Sequence, residues 1–127
     1  MRIEPVAVWT VDSDRIGDFY IAYFGAVAGV KYVNSTEGFE SYSPSFPSGG
    51  ARIELMRASG RSELAVDGRV GSAHPAVALG SEVAVNDLAN RLRADGIEIL
   101  NGPGWTGDGY YESVILDPEG NRIESTI

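Results

Sequence analysis

The stretch Glu112-Ser113-Val114-Ile115-Leu116-Asp117-Pro118-Glu119-Gly120-Asn121-Arg122-Ile123-Glu124-Ser125-Thr126-Ile127 decides how the rest of the chain is read. Two short apolar runs flank Asp117-Pro118-Glu119-Gly120, which has the chemistry of a type I turn. The Asp side chain can accept from the backbone ahead, Pro118 presets φ at the second position, and Gly120 takes the strained fourth. The stretch predicts a hairpin. In its return strand Arg122, Glu124 and Thr126 share one face, and Ile123, Ser125 and Ile127 share the other. A carboxylate between apolar strand neighbours either stands on a wet face or points into a cavity.

From the start of the chain, residues 3–11 are rich in β-branched residues and predict a strand, which Pro5 confines to a sheet edge or to the strand's first positions. Asp12, Ser13 and Asp14 offer helix caps. Ile16, Phe19, Tyr20, Tyr23 and Phe24 then recur at spacings of three and four, an apolar helix stripe that Gly25 stops. Strands follow over 29–34, 38–43 and 51–57, with the Pro/Gly-rich connection 43–50 before the last of them. The order is βαβββ. Residues 58–72 are polar and Gly-containing and read as a connector. The same order then recurs: a strand at 74–79, a helix capped by Asn86 or Asp87 and carrying Leu88 and Leu92 up to Gly96, and strands at 97–100, 110–116 and 121–126.

Gly102-Pro103-Gly104-Trp105-Thr106-Gly107 satisfies G-x-G-x-x-G and follows a strand. A dinucleotide fingerprint must then open a helix whose N-terminus holds the pyrophosphate. Here a strand follows instead, so these glycines are expected to shape a loop and not a nucleotide site.

The chain has 127 residues, enough for one domain with a real core. It contains no apolar run long enough for a membrane span and no basic-then-apolar leader, so no membrane partner is expected. Cysteine is absent, which excludes disulfides and thiolate metal ligands. Together these features suggest a cytoplasmic protein. A net charge of −8 disfavours nucleic acid as a partner, because that affinity comes largely from neutralised phosphates. The same charge suits cationic small molecules.

The segment from Gly109 to Glu124, with its Asp-Pro-Glu-Gly-Asn turn, resembles the last two strands of the vicinal-oxygen-chelate superfamily. That superfamily includes glyoxalases, bleomycin-resistance proteins and extradiol dioxygenases. The resemblance extends over nearly the whole chain, because two tandem βαβββ modules forming a cup-shaped mixed sheet are that superfamily's arrangement. It implies an α+β fold with one glyoxalase-like domain over 1–127: a module at 1–58, a connector at 59–72 and a module at 73–127. It also implies a small-molecule ligand and a homodimer.

In metal-using members a divalent ion such as Zn, Ni, Mn or Fe is held by the first and last strands of each module. The matching positions here are Pro5, Glu54, His74 and Glu124. The resemblance thus implies Glu54, His74 and Glu124 as metal ligands and Glu124 as the proton-transfer base. Such an ion polarises two adjacent substrate oxygens, the basis of lyase, isomerase or dioxygenase chemistry. Pro5 departs from the pattern, since it has no donor atom where His or Gln is usual. Glu4 is no substitute, because a one-residue slip turns a side chain to the opposite face.

Strand alternation places Glu54 opposite the apolar face of Ile53 and Leu55, and Trp9 on the face of Pro5. Trp9, Trp105 and Tyr110 are candidate ligand-contacting aromatics, and one of Tyr110 and Tyr111 is expected in the core. The places that hold glutathione's carboxylates in lactoylglutathione lyases match Trp9, Ala58 and Val70, so glutathione dependence is not expected. Two functions stay open: metal-assisted chemistry on a vicinal-oxygen substrate, and metal-free sequestration of a cationic aromatic compound.

Overall fold

A computed structural model describes residues 4–63 and 70–127. The chain divides into two compact units, Met1–Ala65 and Val66–Ile127. Each has the order βαβββ and one four-stranded mixed sheet. Residues 64–69 of the expected connector, and Ile3 of the expected first strand, lie outside the described residues.

The first unit contains β1 (Val6–Trp9), α1 (Ser13–Phe24), β2 (Tyr32–Asn34), β3 (Phe39–Tyr42) and β4 (Ile53–Ala58), in sheet order β1-β4-β3-β2. β1 is an edge strand parallel to β4, the place a strand preceded by Pro5 can occupy. Asp12 caps α1 by accepting from the Arg15 N–H, and Gly25 ends it in the left-handed conformation. The stripe of α1 buries Ile16, Phe19 and Tyr20 on the sheet face that carries Ile53, Leu55 and Tyr42. A polar lock holds the helix start in place. The Ser13 hydroxyl donates to Glu40 of β3 at 2.6 Å, and Lys31 meets Asp14 at 2.6 Å.

The second unit contains β5 (Ala76–Ala78), α2 (Glu82–Ala94), β6 (Ile99–Trp105), β7 (Tyr111–Leu116) and β8 (Arg122–Thr126), in order β5-β8-β7-β6. α2 buries Val85, Leu88, Ala89 and Leu92 and packs on β6, β7 and β8. The β7–β8 hairpin has the expected turn. The Gly120 N–H donates to the Asp117 carbonyl at 3.0 Å, and Gly120 sits at φ +84.

Three details differ from the sequence reading. α2 starts one turn before Asn86, because the Ser81 hydroxyl caps it by accepting from the Ala84 N–H at 3.2 Å. Asn86 instead donates back to the Glu82 carbonyl from inside the helix. Gly102-Pro103-Gly104 belongs to strand β6 and is not a free loop, its irregularity absorbed as two shifts of register against β7. β5 begins only after Pro75, which has no N–H to give a ladder, so His74 precedes the strand. Among the described residues no helix is long and apolar enough to cross a membrane.

Candidate functional site

In the second unit the sheet face turned away from α2 carries Glu112 and Val114 of β7 opposite Thr126 and Glu124 of β8, with Ala76 of β5 beside Glu124. The small Ala76 leaves room next to the carboxylate. The backbone places His74 there as well, since the Glu124 N–H donates to the Pro75 carbonyl at 3.0 Å. His74 Nε2 lies 3.0 Å from Glu124 Oε2, so these two predicted site residues are brought together. Glu112, which the sequence reading did not single out, stands on the same face as a diagonal neighbour of Glu124 and feels its charge.

Burial pushes the Glu112 carboxyl above its ordinary range, and the Glu124 charge adds to the effect. An acid held up in the fold contributes stability that is complete below its ordinary value of 4.5 and is lost as pH rises through the raised value. Glu112→Gln is therefore expected to be more stable than wild type at neutral pH, with the advantage vanishing toward acid. Thermal melts of both proteins over that range check it, and a wild type that gains on the variant as pH rises would refute it.

Other candidates of this unit are placed apart from the group. Trp105 pairs with Tyr111 and meets its ring edge-on at 5.5 Å, and the Tyr111 hydroxyl donates to Asn86 of α2 at 3.1 Å. Tyr111 is thus the inward member of the tyrosine pair, and Trp105 stands on its side of the sheet, opposite to Glu112. Tyr110 is exposed at the tight 106–110 turn, whose closure comes from the Tyr110 N–H donating to the Thr106 hydroxyl at 3.0 Å.

In the first unit the face away from α1 carries Ala7 and Trp9 of β1, Glu54 and Met56 of β4, and Phe39 and Ser41 of β3. Trp9 meets Phe39 edge-on at 6.4 Å, and Tyr32 of β2 approaches the same ring at 6.3 Å. Trp9 and Tyr32 remain 43% and 56% exposed, so this aromatic row is open and not core. The Arg61 guanidinium lies 4.0 Å above the Trp9 ring. Glu54 shares the face, half-buried beside Ala7, while the nearby Arg52 pairs with Glu4.

Of the positions implied as metal ligands, the structure brings His74 and Glu124 together. Pro5 offers no donor atom, and His74 and Glu124 are turned on each other. Among the described residues no three His, Asp or Glu side chains form a group that could hold an ion.

A family model described as the Glyoxalase/Bleomycin resistance protein/Dioxygenase superfamily matches residues 2–125. No curated protein sequence matches. Among solved structures, the fold is similar to a glyoxylase/bleomycin resistance protein/dioxygenase domain from Frankia sp. EAN1pec, with TM-score 0.86, 16% identity and coverage of 100% of this chain and 97% of that one. It is also similar to the trypanothione-dependent glyoxalase I of Leishmania major, with TM-score 0.80, 19% identity and coverage of 99% and 86%. Glyoxalase I from Zea mays gives TM-score 0.79 at 23% identity, covering 98% of this chain and 44% of that one. At these identities the likenesses speak for the fold.

Proposed function

Because the chain belongs to the Glyoxalase/Bleomycin resistance protein/Dioxygenase superfamily, we propose that it binds a small flat aromatic cation, without glutathione and without needing a metal. The observation that carries this reading is the Trp9 ring already stacked by a planar cation, the protein's own Arg61, at 4.0 Å. The ring's negative π-face attracts a delocalised positive charge. Phe39 and Tyr32 extend the apolar platform. Glu54 supplies a carboxylate on the same face, and a net charge of −8 attracts cations from solution. A flat ligand is held by such a surface through stacking, with the carboxylate fixing which end carries the charge. Trp fluorescence titrated with planar cations in the presence of chelator tests the proposal. Saturable quenching with the ligand recovered chemically unchanged is the expected result. A panel of such cations that leaves the emission untouched would defeat it.

A second reading, proton transfer on a substrate, is favoured by His74, Glu124 and Glu112 standing together on one face. Glu124 would move the proton, with His74 holding one of its oxygens and Glu112 beside it on the same face. Its metal-assisted form requires Glu54, His74 and Glu124 on one ion. Calorimetric titration of Zn, Ni, Mn and Fe(II) against wild type and His74→Ala decides that form. Stoichiometric binding lost in the variant supports it, and negligible binding by both proteins removes it.

A further inference from the structure

We infer that Arg61 is a specificity-determining residue of the aromatic face, a built-in cationic occupant of the Trp9 ring that a planar cation must displace. The inference rests on the binding reading above and goes beyond it by naming what the ligand competes with.

The backbone delivers Arg61 to this place. β4 ends at Ala58, which pairs with Phe39. The Arg61 N–H then donates to the Ala58 carbonyl at 3.3 Å, closing a turn that reverses the chain over the end of the sheet. The base of the turn is fixed, since both the N–H and the hydroxyl of Ser59 donate to the Gly38 carbonyl, at 2.9 and 3.2 Å. Gly38 gives Ser59 that space, because a Cβ there would lie 2.0 Å from the Ser59 hydroxyl. The turn is anchored while the Arg61 side chain is exposed. Its guanidinium can therefore swing away without unfolding anything.

Occupancy by Arg61 makes the face discriminate by charge. A neutral flat ligand must replace an exposed cation–π contact, which lowers its affinity by about two- to fivefold. A cation meets that competition and also like-charge repulsion from the displaced guanidinium, which remains tethered nearby. The residue thus weakens entry of a planar cation more than entry of a neutral flat ligand, and a cation enters where stacking on Trp9 and the Glu54 carboxylate outweigh that cost.

The experiment uses the full chain with Trp105→Phe, which leaves Trp9 as the sole tryptophan of the two, and compares it with Trp105→Phe/Arg61→Gln. Without any ligand, the Arg61→Gln protein is expected to show about twofold or greater enhancement of caesium quenching and reduced iodide quenching, as a cation over the ring repels one ion and attracts the other. Equal quenching constants in the two proteins would overturn the occupancy. With 1-methylquinolinium as probe, Arg61→Gln is expected to bind about two- to fivefold more tightly. Neutral quinoline should gain less. If the cation binds both proteins alike, the inference fails and the binding reading stands. If neither protein binds it, the binding reading fails, while the caesium and iodide constants still decide the occupancy of Trp9.

Discussion

Replacing Asp117 by Ala is expected to destabilise the protein by roughly 2–4 kcal/mol, since buried hydrogen bonds contribute about 0.5–1.5 kcal/mol each and orphaned donors add a desolvation cost. Asp117 is buried at the tip of the β7–β8 hairpin. One carboxylate oxygen accepts from the backbone N–H of Glu119 at 2.9 Å and of Asn121 at 2.8 Å, and the other accepts from the Asn121 amide at 2.8 Å. No alternative acceptor is created by an Ala methyl. Burial pushes the Asp117 carboxyl above its ordinary range although its hydrogen bonds pull it down. Keeping the acceptor matters more than keeping the charge, so Asp117→Asn should lose only a minor part of the stability. A fall in Tm of roughly 10 °C for Ala is expected for a chain of this size. A Tm within a degree or two of wild type would show that the turn is held by Pro118 and Gly120 alone.

Gly102→Ala is expected to cost about as much, through the backbone. Gly102 sits at φ +76, where an L side chain costs roughly 1–2 kcal/mol. Its new Cβ would lie 2.4 Å from the carbonyl oxygen of Glu112 and 3.1 Å from Cα of Ser113. Those are atoms of β7 itself, so the strands must part, and forced overpacking adds roughly 1–3 kcal/mol. The strain falls on the residue that presents Glu112 to Glu124. Denaturant unfolding should show a loss of roughly 2–5 kcal/mol, the sum of those two effects. A midpoint unchanged from wild type would mean that β6 can shift in register without loss.

These residues show what could be read from the chain alone and what could not. The hairpin was legible because its determinants are local: Asp117, Pro118 and Gly120 act within five residues, and the observed bonds are those their side chains can make. Both βαβββ orders and the buried stripe of α1 followed from periodicity for the same reason. The start of α2 is not legible locally, because Asn86 and Asp87 are strong cap formers in isolation, whereas Ser81 holds the position and the Tyr111 hydroxyl donates to the Asn86 amide oxygen. β6 looked like a loop because Gly102-Pro103-Gly104 has no strand propensity, and pairing with β7 overrides that. Glu112 could have been found. Closing the turn of Asp117 on Asn121 sets Val114 against Glu124 and Glu112 against Thr126, which puts both carboxylates on one face. Arg61 over Trp9 could not, because it depends on a turn anchored to Gly38, a contact distant in sequence.

The central claim, that the open face around Trp9 takes a planar cation without a metal, is tested most directly by calorimetry. 1-Methylquinolinium is titrated, with EDTA present, into wild type and into Trp9→Ala. The account predicts saturable stoichiometric binding by wild type and affinity roughly tenfold or more lower in the variant, as loss of stacking and cation–π attraction requires. Equal heats and affinities for the two proteins, or no saturable heat with wild type, would contradict it.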